Sequence, residues 1–143
     1  MTTPHLTLSP ARFLALRLLP GEDLIAGLRT HMAQHGLQAV WIAGAVGSLT
    51  HANLRYAARP DGTLLEGAFE VIALGGTLDP ECEHLHLSLS DEHGLMRGGH
   101  VLPGCRVRTT LELVIGELEA YRFTRAPCPH SGYEELLITP RTL

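Results

Sequence analysis

The chain has 143 residues, a hydrophobic share of 45% and a formal net charge of −4. That length fits one domain with a sizeable core and is short for two. The apolar share excludes a disordered chain, and the acidic balance excludes a general electrostatic attraction to nucleic acid or to an anionic membrane.

Every strong cation is arginine, and there is no lysine. We read this as compositional bias, because a surface seldom requires only one of the two. Cys82, Cys105 and Cys128 form an odd set without CxxC spacing. That argues against a disulfide framework and for a reducing compartment. The opening "MTTPHLTLSPARF" lacks a basic segment followed by an apolar core. No apolar run approaches the roughly 20 residues of a spanning helix. The expectation is a cytoplasmic protein with no membrane contact.

In chain order, "ARFLALRLL" (Ala11 to Leu19) reads as a strand that stops at "PGED". "GEDLIAGLRTHMAQHG" reads as a helix. Asp23, or Glu22 beside it, supplies an acidic N-terminal cap, Leu24, Leu28 and Met32 share one face, and Gly36 stops it. "LQAVWIAGAVGSL" is apolar on both alternating faces, as in a strand covered on both sides. Gly44 and Gly47 lie on opposite parity there and suggest bulges or close backbone approach. "THANLRYAA" follows as a further strand and "RPDG" as a turn. "GAFEVIALGGTL" is another strand, interrupted at Gly75-Gly76.

"EHLHLSLS" alternates strictly, with His84, His86, Ser88 and Ser90 on one face and leucines on the other. "DEHG" is a turn, and "LMRGGHVLPGC" returns as the partner of a hairpin. "CRVRTTLELVIGELEAYRF" predicts one long bent strand or two, and "YEELLIT" a weaker one. The fold class is therefore α+β: one main helix and a largely antiparallel sheet of six to eight strands, in a single domain with its core at about 12–138. One helix covers only part of one sheet face, so a second copy of the chain is the simple source of a further layer.

His84 and His86 leave one strand face about 6.5 to 7 Å apart at the backbone. A turn centred near His93-Gly94 pairs residues whose numbers sum to roughly 186 or 187. That register sets His100 across from His86. Three imidazoles then gather on one patch, the ligand set of an open zinc site with a fourth place for water or substrate. Gly98 and Gly99 suggest room for a ligand or a close subunit. The other reading is three solvated histidines bonded to nearby serines. His31 and His35 also have metal spacing, four apart on the helix.

"PGEDL", "GAVGSLTHANLRYA", "GAFEVIALGGTL", "HLHLSLSDEHGLMRGGHVLPGC" and "TTLELVI" occur in one order. Together they resemble the plants and prokaryotes conserved (PPC) domain, from about Arg12 to Ile138. The resemblance implies a largely antiparallel α/β fold and a homotrimer, with His84, His86 and His100 at the family's histidine positions. In plants such domains are attached to AT-hook segments that hold the minor groove, and stand-alone bacterial members carry a DNA-binding label by that association. This chain has no Arg-Gly-Arg-Pro core and no basic arm; the nearest stretch, "TRAPCPHSG", offers only Arg125. Arginines inserted in a narrow groove are therefore missing.

Glu70 lies in an otherwise apolar strand. It is either a structural carboxylate, bonded to backbone or to an arginine, or a general base near the metal. Arg55 is its candidate ionic partner, or a bidentate binder of an anionic ligand. Ser48, Thr50 and Asn53 either line the same pocket or serve as turn and strand-edge residues. Arg106 and Arg108 read as surface or interface pairs. Cys105 reads as a small buried thiol. Three functions follow: an oligomeric module with a zinc site that binds a ligand or partner; a zinc-dependent hydrolase or hydratase using metal-activated water; and, by family analogy alone, DNA binding.

Overall fold

The computed structural model describes residues 6–142. His5 and part of the N-terminal segment read for a leader lie outside them. Eight strands and one helix follow in the order β1 (Ala11–Leu18), α1 (Leu24–His35), β2 (Val40–Arg55), β3 (Thr63–Leu78), β4 (Glu83–Ser90), β5 (Met96–Val101), β6 (Arg106–Leu118), β7 (Tyr121–Pro127) and β8 (Glu134–Pro140). Six strands form an antiparallel sheet in the order β1-β6-β2-β3-β4-β5, and β7 and β8 pair in a separate small sheet. None of the described helices is long and apolar enough to cross a membrane. The α+β class read from the sequence is the class observed.

Helix α1 begins where the Asp23 carboxylate accepts the Ala26 N–H at 3.1 Å. Its other oxygen accepts the Gly104 N–H at 2.7 Å, so one side chain caps the helix and ties it to the loop before β6. Gly36 ends the helix in the left-handed conformation, φ 62°. The buried face, Leu24, Ile25, Leu28 and Met32, packs on the sheet with Leu18, Leu49, Leu54, Leu85, Leu87, Leu89, Val107, Leu111 and Ile115 in one core. Each such side chain contributes about 1.5 to 3 kcal/mol on burial.

β2 is the central strand. One side pairs with β3 along its length. On the other side it pairs with β6 as far as His51. Then Leu54 and Arg55 pair with Val101 and His100 of β5. Strands β2, β3, β4 and β5 thus close on themselves, which a flat sheet cannot do. The register shifts at Gly44 and between Gly47 and His51 supply the bend.

Two expectations need correction. Residues 37–58 do not hold two strands: β2 is continuous from Val40 to Arg55, because bulges absorb what local pattern suggests is a break. β3 is not interrupted at Gly75-Gly76. Gly76 is needed because φ is 137° and a Cβ there would stand 2.0 Å from the His84 carbonyl oxygen. Of the two readings for Cys105 to Phe123, two strands is the one observed: the stretch divides at Glu119-Ala120, and β7 leaves the main sheet to pair with β8 over a second small core of Ala39, Tyr121 and Phe123.

Gly76→Ala should therefore lower stability by about 2 kcal/mol or more, from the disfavoured φ and the displaced β4 backbone. Chemical denaturation of the purified variant measures it; a midpoint equal to wild type would contradict this packing.

Candidate metal centre

The β4–β5 hairpin sets the site. Asp91 opens its turn: the carboxylate accepts N–H groups of His93 at 2.8 Å and Leu95 at 2.9 Å. The Leu95 bond, then the His93 bond, hold its carboxyl below the ordinary carboxylate range. Gly94 takes the positive φ that the turn requires, 78°. From this turn the ladder runs Ser90–Met96, Ser88–Gly98 and His86–His100. Leu85, Leu87 and Leu89 point into the core, so His84, His86 and His100 share the outward face.

The three rings meet. One nitrogen from each lies within 4.8 Å of the other two. The Nε2 atoms of His84 and His86 are 3.2 Å apart. His100 lies 5.3 Å from His84 and 5.8 Å from His86 between ring centroids. Burial first, then electrostatic repulsion from His86 and Arg125, lower the pKa of His84. Burial, then Arg55, lower that of His100. Both imidazoles are therefore held in the neutral form, with a lone pair to offer. A tetrahedral cation with bonds of about 2.0 to 2.1 Å separates its ligand nitrogens by roughly 3.4 Å, near the His84–His86 spacing. The donor set fits zinc.

Two arginines hold the turn that precedes His84. Arg125 of β7 donates to the buried Asp79 carboxylate at 3.1 Å and to Thr77 at 3.2 Å. The other Asp79 oxygen accepts N–H groups of Glu81 and Cys82 at 2.9 and 2.7 Å. From the helix, Arg29 donates to the carbonyls of Pro80 and Glu81 and to the Glu83 carboxylate. The sequence reading missed this clamp. Its one local signal is "LDPEC", an Asp-Pro turn whose aspartate can bond its own backbone.

The site residues proposed from sequence divide. Arg55 is brought in: it pairs with His100 and shares a cleft of about 820 Å³ with all three histidines. Glu70 is exposed and sits opposite Ser48 and Ser90, roughly 13 Å along β4 from His86 at 3.3 Å per residue. Arg55 is not its ionic partner, because the β2–β3 register separates them by about seven strand residues, roughly 23 Å. Ser48 is buried and bonded to Thr109 at 2.7 Å. Asn53 donates to the Pro103 carbonyl at 2.8 Å, fixing the loop before β6. Gly98 and Gly99 line that cleft beside the histidines. Added Cβ atoms would stand 2.8 Å from the Leu87 carbonyl oxygen and 2.9 Å from that of Arg55, so these glycines permit close strand approach. Cys105 is fully buried, and burial pushes its thiol up to about 11, which leaves no thiolate nucleophile.

Because the folded state holds His84 and His100 below the ordinary value of 6.5, the unfolded chain takes up their protons first. Stability of metal-free protein should therefore be full above that value and decline as pH falls through it, levelling off below the folded values. Denaturation of chelator-treated protein across this range checks it, with the His84→Gln, His100→Gln double variant losing part of the slope.

The sequence matches the Plants and Prokaryotes Conserved (PCC) domain over residues 6–119. It is 46% identical over 127 residues to the bifunctional protein GlmU of a Synechococcus strain, covering 89% of this chain but only 20% of that protein. The chain thus spans about one fifth of the length of its curated relatives. A hypothetical protein from Salmonella enterica shares 56% identity at a TM-score of 0.94, with 96% of this chain and 100% of that one covered. The fold alone is shared, at 22% identity and TM-score 0.75, with a metal-containing protein from Archaeoglobus fulgidus, over 92% and 99% of the two chains. At 17% identity and TM-score 0.76 it is shared with a candidate DNA-binding protein from Bacteroides thetaiotaomicron, over 91% and 97%. The chain belongs to the Plants and Prokaryotes Conserved domain family.

Proposed function

We propose that this chain is a homotrimeric ligand-binding module, a single domain with its core at about 12–138, in which His84, His86 and His100 hold a zinc ion. The observation that carries the reading is the convergence of three imidazole nitrogens within 4.8 Å on the wall of an open cleft. When bound, zinc on three imidazoles keeps a fourth position for a water or ligand atom and polarises what it holds. The metal content described for the Archaeoglobus fulgidus relative supports the same use of the fold.

The binding role is preferred to a hydrolase or hydratase because the base read from the sequence is not beside the rings. Glu70 is too far along the strand; the carboxylates nearer to His84 and His100 are Glu83, already held by Arg29, and Glu134 and Glu135 in an adjoining cleft. DNA binding ranks last. The net charge is −4, and Arg125, the one arginine in the stretch nearest to an AT-hook, is buried against Asp79. Trimer formation is supported by apolar side chains left uncovered on the main sheet: Phe13, Val46, Ile72 and Val114 are 64, 59, 53 and 40% exposed. A second copy would cover them.

Protein purified without a histidine tag or chelator should carry about one zinc per chain by elemental analysis. His100→Ala should lower its affinity at least a hundredfold while the β4–β5 hairpin still folds; unchanged stoichiometry and affinity would remove the site. Light scattering should give three times the chain mass, and Val46→Asp with Val114→Asp should yield monomer. Duplex DNA should show no affinity that rises steeply as salt is lowered.

A further inference from the structure

The cleft beside the histidines has a charge pattern that a metal alone does not use. Arg55 and Arg59 line it together with the three imidazoles, and no carboxylate does. Four arginines are neutralised elsewhere: Arg12 and Arg141 meet Glu117, Arg29 meets Glu83, and Arg125 meets Asp79. The other seven make no ion pair among the described residues, and Arg55 and Arg59 are the two of them that line the histidine cleft. Arg55 is also fixed in place at its backbone, as the ladder partner of His100. That puts the two Cα atoms about 5 Å apart, within easy reach of a guanidinium over the ring.

The rim is shaped by a strained turn. Ala58 adopts φ 58°, a left-handed conformation disfavoured for a non-glycine residue. The turn is closed by a 3.1 Å bond from the Arg59 N–H to the Tyr56 carbonyl, which carries Arg59 to the cleft. Opposite stands Tyr133, 75% exposed. An adjoining cleft of about 400 Å³ shares Arg55, His84, His100 and Tyr133 with it and adds Arg125, Glu83, Glu134 and Glu135. The carboxylates of that side disfavour an anion there, whereas the Arg59 side has none in its lining. A volume near 820 Å³ suits a small organic ligand with an acidic end.

We propose that the cleft binds a small oxyanion, a phosphate or carboxylate group, held by the Arg55 guanidinium on one side and the three-histidine centre on the other, with Arg59 at the rim. A guanidinium offers paired N–H donors in the geometry that either group accepts. The proposal rests on the metal reading for the second anchor; Arg55 and Arg59 are the part that stands without it.

Calorimetric titration with inorganic phosphate and, separately, with acetate tests it on the full chain, with zinc content measured in the same samples. Zinc-containing wild type should bind at least one of the two saturably at one per chain, and the better probe tells phosphate from carboxylate. Arg55→Gln should weaken that binding at least tenfold while zinc content stays unchanged, and Arg55→Lys should recover part of the loss. If the samples hold no zinc, the metal reading fails by itself; Arg55-dependent binding to such protein would still uphold the anion site. Absence of saturable binding for both probes, as when a neighbouring subunit's carboxylate fills the cleft, would overturn the proposal. So would an Arg55→Gln variant that binds as wild type does.

Discussion

The two-residue ladder between β2 and β5 is the constraint on which the site depends. Leu54 and Arg55 pair with Val101 and His100 only because β2 bends away from β6 beyond His51. Without that bend β5 would be an open edge, with unpaired N–H and C=O groups facing solvent. With it, strands β2 to β5 close around Leu54, Leu85, Leu87, Leu89 and Val101, all buried. The same closure presses Arg55 against the outward histidine face. Core burial and site assembly are one event: the alternation that sends leucines inward sends imidazoles outward, and the ladder then supplies the guanidinium.

Placing three imidazoles together has an electrostatic consequence that the surrounding structure manages. Protonated rings at this spacing would repel one another and their arginine neighbours. Partial burial and the nearby cations hold His84 and His100 neutral instead. Neutral rings without a cation leave acceptor nitrogens facing each other, and one N–H between His84 and His86 can satisfy only one of them. The arrangement is thus pre-set for a cation. The turn before His84 cannot relax to spread the rings, because Asp79 and Glu83 are each held by an arginine from a different part of the fold. Breaking the buried Arg125–Asp79 pair leaves a charge without a partner, which holds that part of the clamp in place.

Local pattern made some of this legible. The helix was readable from Asp23, Gly36 and the fourfold spacing of Leu24, Leu28 and Met32. The hairpin was readable from strict alternation and the Asp91–Gly94 turn, and its register gives the observed His86–His100 pair. The closure of β2 on β5 was not readable, because pairing between residues nearly fifty apart leaves no mark on either segment. For the same reason Glu70 and Arg55 looked like partners: both are charges in apolar strands, and only the β2–β3 register shows them far apart. Gly98 and Gly99 were read only in part. They line the cleft, as their composition suggests, and the neighbouring backbones of Leu87 and Arg55 also leave no place for a Cβ.

The division of labour in the cleft bears on what a shared fold can tell. His84, His86, His100 and Arg55 stand on strands, where the ladder fixes their relative positions. Arg59 and Tyr133 stand on loops, which can change length and residue type without disturbing that ladder. A relative with this sheet can therefore keep the histidine face while its rim selects a different ligand. DNA binding draws on neither part. It needs an extended cationic surface, and in this chain four of the arginines are spent on Glu117, Glu83 and Asp79, holding the ends of strands together. Arginine placement, more than fold, is what separates a minor-groove binder from a module that grips a small anion beside a metal.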